Sequence, residues 1–234
     1  MKKILFWIVL IVGTGALLGS CAKKDESTAA AAAGNVAGTG TTASGTITGT
    51  PVTGTFHTSW GGATPACGCV SNSTAISTYG FPSDTKSFQI EWIVTGTSTY
   101  TLSLVNYSGA TCSTMTSYFN TMYESVTVGS ELTGLTAGSS PTKPTTASKF
   151  SSVEDQYALM ANTTVSVAYF LAAPYGISLD SGDELVIDEE SPVTQYGLAA
   201  TATVSGNSWL FISRGISTAD NVTDWSSRAS TYWQ

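Results

Sequence analysis

The chain has 234 residues, only 11% of them charged, and a formal charge of −7 from sixteen acidic and nine basic side chains. That length suits one β domain or two small ones and is enough to bury a substantial core. So few basic residues argue against nucleic-acid binding, which needs clustered Lys and Arg, and against a polybasic patch for anionic lipid headgroups.

Lys2 and Lys3 precede an apolar run from Ile4 to Leu18, and the run ends in Leu18-Gly19-Ser20-Cys21. A basic start, a short apolar stretch and small residues at its end make a secretory signal. The run is shorter than the about 20 residues that a bilayer span takes. The cysteine directly after Leu-Gly-Ser resembles the lipobox of bacterial lipoproteins, a resemblance confined to residues 1–21. It implies a signal peptide over 1–20 and cleavage before Cys21 by signal peptidase II. It also implies a diacylglyceryl thioether and an N-acyl chain such as palmitate on Cys21, and a membrane held through lipid. Residue 22 is Ala and not Asp, which in enterobacterial lipoproteins favours the outer membrane. Loss of residues 1–20 removes two lysines and no acid, so the charge goes from −7 to −9. At roughly 0.8 kcal/mol per buried CH₂, one acyl chain anchors marginally and two or more anchor stably.

Residues 21–44 read as a lipid-attached flexible tether. After Lys23, Lys24, Asp25 and Glu26, no charged residue occurs from Ser27 to Ser83. Ala29–Ala33 is too short to hold a helix in water. A coil of about 23 residues reaches roughly 25–30 Å, enough to clear the headgroups. A folded domain is expected over 45–234. Thr46–Thr48 and Val52–Phe56 alternate weakly, and Pro51 and Gly54 make them edge or bulged strands. Gly61-Gly62 and Pro65 predict loop through Cys67-Gly68-Cys69 to about Pro82.

The plainest pattern follows. Phe88, Ile90, Trp92 and Val94 share one face of Ser87–Thr95, with Gln89, Glu91 and Thr95 on the other. Tyr100, Leu102 and Leu104 alternate with Thr101 and Ser103. Period-2 alternation on both sides of Gly96-Thr97-Ser98 predicts a hairpin with one buried face. Cys112, Met115, Phe119 and Met122 recur at three and four residues and predict one short helix, against poor propensity. Val126 and Val128 suggest a strand, and Leu132–Ala147, with Pro141 and Pro144, a loop. Tyr157–Met160 and Val165–Leu171, flanking Asn162-Thr163, read as a second hairpin. Leu185–Ile187 is a short strand. Leu198–Val204 and Ser208–Ser213 make a third hairpin around Ser205-Gly206-Asn207. Many short strands with turn residues between them predict an all-β, antiparallel sandwich of two sheets, jelly-roll-like or Ig-like. A transmembrane β-barrel is the rival, but it needs spans of about 9–11 residues and aromatic girdles.

Candidate chemistry is thin. His57 is the only histidine, and no Gly-x-Ser-x-Gly elbow accompanies it. Zinc would need His57 together with Cys67, Cys69 or carboxylates. Eight acids and no Lys or Arg lie between Phe150 and Ser213. Asp180, Asp183 and Glu184, around Ser181-Gly182, form a weak calcium candidate; the same residues are ordinary turn chemistry before Leu185. Asn72, Asn106, Asn162 and Asn221 begin Asn-x-Ser/Thr sequons and read as accidents of Ser/Thr abundance. With Cys21 lipidated, three cysteines remain in an exported protein, which favours one disulfide between Cys112 and either Cys67 or Cys69; Cys69–Cys112 is the pair chosen. Trp60, Trp225, Tyr232 and Trp233 sit among polar residues or at the chain end, away from alternating strands. They either plug a sandwich end or form a stacking platform. No catalytic residue is assigned. The expectation is a membrane-anchored envelope lipoprotein displaying a non-enzymatic domain for a glycan or protein ligand. A carbohydrate-active or other hydrolytic enzyme is the alternative.

Overall fold

The computed structural model describes residues 55–58, 68–95, 98–136, 143–172, 175–204, 207–216, 218–225 and 230–233. Cys21, Trp60, Cys67 and the strand expected at Thr46–Thr48 lie outside them. Nine strands form one antiparallel sheet: β1 (Thr55–Thr58), β2 (Ser87–Val94), β3 (Tyr100–Tyr107), β4 (Met115–Thr133), β5 (Thr146–Ala161), β6 (Glu184–Asp188), β7 (Thr194–Val204), β8 (Asn207–Ile216) and β9 (Ser230–Trp233). Among the described residues two α-helices interrupt them, α1 (Ser73–Tyr79) and α2 (Thr164–Leu171), and a 3-10 turn covers Ala219–Asn221.

The sheet curls on itself. Its order runs β4-β3-β2-β1-β9-β8-β7-β5-β6, and β4 also pairs with β5. Following neighbours from β4 through β1 and β9 to β5 therefore returns to β4, with β6 added outside that circuit. This corrects the expectation of two stacked sheets. The reason lies in β4 and β5, which are 19 and 16 residues long. The first half of β4 pairs with β3, while β5 pairs with β7 near its start and with β6 near its end. Two long, staggered, twisted strands curl one sheet instead of dividing it into two layers.

The inner face is packed from all around the circuit. Phe56, Trp92, Val94, Tyr100, Leu102, Tyr123, Val126, Phe150, Ala199, Leu210 and Ile212 form one buried cluster drawn from seven strands. Trp92 stacks on Tyr100 with ring centroids 3.7 Å apart and meets Phe150 of the non-adjacent β5 at 6.1 Å. The outer side of β2 is buried too, with Gln89 and Glu91 at 4% and 1% exposure, so this hairpin does not have the single buried face its alternation predicts. These polar groups are satisfied rather than solvated: Tyr107 donates to Gln89 at 2.7 Å, and Glu91 lies 3.0 Å from His57 Nδ1.

Local chemistry explains the helices. Asn72 caps α1, its side chain accepting from the N–H groups of Thr74 and Ala75 at 2.9 and 3.3 Å. This helix stands where loop was expected. Thr163 caps α2 by accepting from Ser166 N–H at 3.1 Å, so Val165–Leu171 is helix and not the second arm of a hairpin. Conversely, Met115–Met122 is strand and not helix. Both faces of that stretch are buried, so the three- and four-residue spacing of its largest apolar residues did not mark one face. Both helices sit over the inner face at the same end of the sheet. Tyr79 and Phe81 contact Phe88, and Phe170 packs with Phe119, Leu159 and Ala161. Among the described residues, no helix is long and apolar enough to cross a membrane.

Candidate functional site

Among the described residues, a shallow groove lies between the start of α2 and the turn that precedes β2. Pro82, Ser83, Thr164, Val165, Ala168 and Tyr169 line a groove of about 460 Å³. Thr163 ties the walls together by donating to Asp84 at 2.6 Å, so the cap that starts α2 also fixes the opposite wall. Tyr169 is braced by Tyr175, their hydroxyls 3.0 Å apart, and burial first and that hydrogen bond second hold its hydroxyl well above the usual phenol range. Val165 and Leu171 are exposed at the helix surface. The groove is thus lined by a proline, aliphatic side chains, a tyrosine and the hydroxyl residues Ser83 and Thr164. Nothing in its lining acts as a base near neutral pH. Sequence reasoning missed it because one wall was read as loop and the other as strand; Asn-Ser-Thr at 72–74 and Asn-Thr-Thr at 162–164 were the available capping signals.

A buried polar network occupies the inner face. The Arg214 guanidinium lies 5.6 Å from the Trp92 ring centre and 4.9 Å from that of Tyr123, and it hydrogen-bonds to the hydroxyls of Tyr100 and Tyr123. Burial pushes Tyr100 up to about 12 despite that cation, and pushes Tyr123 up as well. Tyr100 shares a hydrogen bond with Ser152 at 3.0 Å. Glu154 accepts from Tyr157 at 2.7 Å and from Gln195 at 2.6 Å, and burial raises its carboxyl above the ordinary range against the opposing pull of those donors and Arg214. Sequence alone could not assemble this group, since its members come from five strands.

The residues singled out from sequence fare differently. Trp225 is partly buried, donates its indole N–H to the Pro144 carbonyl at 2.9 Å and packs near Phe211, on the side of the sheet opposite the inner core. Tyr232 and Trp233 lie in β9, opposite Leu210 and Trp209 of β8 and Thr58 and His57 of β1, and so belong to a paired strand rather than a polar loop. Asp180 and Asp183 are exposed at a turn closed by a 3.2 Å backbone hydrogen bond, and Glu184 accepts from Tyr118. Among the described residues, no three His, Cys, Asp or Glu side chains are grouped to hold a metal ion. Cys69 is bonded to Cys112, with Cα atoms 5.8 Å apart. His57 stands on the outer side beside Glu91, and Gly68 lies against its ring: a Cβ there would come within 2.8 Å of His57 Cβ. The sequon asparagines at 72, 106 and 162 have structural roles, and Asn106 donates to Ser117 at 3.1 Å inside the sheet. In comparisons with known proteins, the chain matches no family model and no curated protein.

Proposed function

We propose that the protein is a bacterial envelope lipoprotein, anchored through acylated Cys21 and displaying its curled-sheet domain on the tether of residues 21–44. The outer membrane is the membrane favoured. Its role is to bind a glycan or protein ligand, not to catalyse a reaction. The observation that carries the anchoring is Leu18-Gly19-Ser20-Cys21 directly after the apolar run. The Cys69–Cys112 bond supports an oxidising compartment, since reducing cytosol keeps such pairs open.

Binding is supported by the groove at Pro82 and Tyr169. A volume of about 460 Å³ suits one or two sugar rings, and a lining that includes a tyrosine and hydroxyl residues suits stacking and hydrogen bonding to them. Cys21→Ala should leave an uncut precursor that takes up no labelled fatty acid. Wild-type protein found in the aqueous phase of a detergent separation refutes the anchor. A glycan and matrix-protein screen on the full chain tests the ligand. Val165→Arg should abolish any binding found while leaving stability nearly unchanged.

A hydrolytic enzyme is the second reading, and one observation favours it: His57 and Glu91 have the form of a base with its orienting carboxylate. Hydrolysis of a glycoside or ester panel, lost in His57→Ala, would establish that reading in place of the binder.

A further inference from the structure

We propose that Glu154 and Glu189 share a single carboxyl proton across the Tyr157 hydroxyl, and that its departure unlatches the segment joining β6 to β7. The argument is a count of donors. Tyr157 Oη lies 2.7 Å from Glu154 Oε1 and 3.1 Å from Glu189 Oε2. A phenol has one proton and can donate to only one of two carboxylates. If both were ionised, the second would face a phenol lone pair with no hydrogen between them. The other oxygen of Glu154 is already used by Gln195 Nε2 at 2.6 Å. One added proton completes the chain: Glu154 O–H donates to Tyr157 Oη, and Tyr157 O–H donates to Glu189.

The location gives the proton a mechanical consequence. The pairing of β4 with β5 passes from Met122–Gln156 to Tyr123–Glu154 and leaves Asp155 as a bulge. At that point β5 exchanges one partner for another, β6 pairing as far as Gln156 and β7 beginning at Val153. Glu189 follows β6 directly, and its N–H donates to the Asp155 carbonyl at 2.7 Å. The chain of two carboxyls and a phenol therefore clips the crossing segment to the bulge. When the proton leaves, two negative charges face each other across one hydroxyl, and the segment that carries exposed Val193 is released.

The groups facing Glu154 come from every neighbouring element: Tyr100 on β3, Tyr123 on β4, Tyr157 on β5, Gln195 on β7, Arg214 on β8 and Glu189 after β6. Arg214 is the one cation among them, and it opposes protonation. Burial is the larger influence and raises the Glu154 carboxyl. A carboxyl raised on folding binds its proton more tightly in the folded than in the unfolded chain. Its contribution to stability is therefore complete below the unfolded value and is lost as pH rises through the folded one.

Infrared titration of the purified full chain in detergent tests this directly. Wild type should keep one carboxylic-acid carbonyl band at a pH where a solvated Glu has already lost it. Glu154→Gln and Glu189→Gln should each remove that band, because an amide supplies the missing donor to Tyr157. In both variants, protection of the Glu189 amide against hydrogen exchange should lose its pH dependence. In wild type, protection corrected for intrinsic exchange should fall by up to tenfold per pH unit as pH rises from the solvated-Glu value to the titration, and should level off above it. Absence of the band in wild type overturns the proposal. A band that survives Glu189→Gln also overturns it, marking an isolated buried acid in place of a shared proton.

Discussion

Replacing both Cys69 and Cys112 by Ser removes a cross-link without freeing the thiol of either partner, and its cost can be worked from chain length. The two cysteines are 43 positions apart, so the bond closes a loop of about 44 residues. The chain-entropy relation then gives on the order of 4 kcal/mol at 25 °C, through restriction of the unfolded chain. The native turn should survive the change, because other bonds hold it. Cys112 N–H donates to Ser87 Oγ at 3.0 Å, Ser87 Oγ donates to the Gly109 carbonyl, and Gly109 and Ser108 N–H donate to the Ser113 and Thr114 carbonyls. The loss therefore falls mainly on the unfolded side, and β2 and β3 should keep their register. In a domain of this size each kcal/mol moves the midpoint by roughly 2–4 °C, so the expected fall in Tm is about 8–16 °C. Thermal and urea unfolding of the full chain, wild type against the double variant, measures it. Wild type in reductant should coincide with the variant. A difference below about 1 kcal/mol refutes the loop-entropy reasoning.

Arg214→Leu should lower stability by roughly 2–4 kcal/mol, since it removes a cation held over two rings and a positive charge beside buried Glu154; urea midpoints check this. Gly197→Ala should open the β7–β8 pairing at a cost of at least about 1–3 kcal/mol, because a Cβ there would meet the Ser213 carbonyl oxygen at 1.6 Å; loss of amide protection along β8 is the readout. Trp225→Ala should cost about 3 kcal/mol if the indole serves packing against Phe211 and its neighbours; a variant as stable as wild type that has lost ligand binding would restore the stacking platform. Millimolar Ca²⁺ should leave Tm unmoved, as Glu184 already accepts from Tyr118 and Asp180 and Asp183 point from an exposed turn; a clear rise would reveal a cation site by mass action.

Much of the strand content was legible because alternation survives wherever one face is apolar: Ser87–Val94, Tyr100–Tyr107, Glu184–Asp188 and the β7–β8 hairpin lie within a few residues of their expected bounds. Of the two pairings expected for Cys112 in an exported chain, with Cys67 or with Cys69, the structure joins Cys69 and Cys112. Local periodicity failed where its premise failed. Met115–Met122 is buried on both faces, so its largest apolar residues traced a false helix. Val165–Leu171 has strand-like composition, but a threonine cap and the inner-face pocket for Phe170 settle it as helix. The groove could not be read from sequence because its walls, at Pro82 and Tyr169, are far apart in the chain and meet through the Thr163–Asp84 contact.

The amino-acid sequence by itself determined the acidic low-charge composition and the antiparallel β character, and it carries the residues behind the lipobox resemblance at Cys21, because these are written in contiguous residues and short periods. Tertiary structure alone decided that the strands make one curled sheet and that Arg214 meets Trp92 and Tyr123. It alone decided that Glu154 and Glu189 face a single phenol. The physical reason is the same in each case. Strand stagger, bulges and partner exchange along β5 bring together residues tens of positions apart, and no local pattern encodes which long-range hydrogen-bond register gives the lowest free energy.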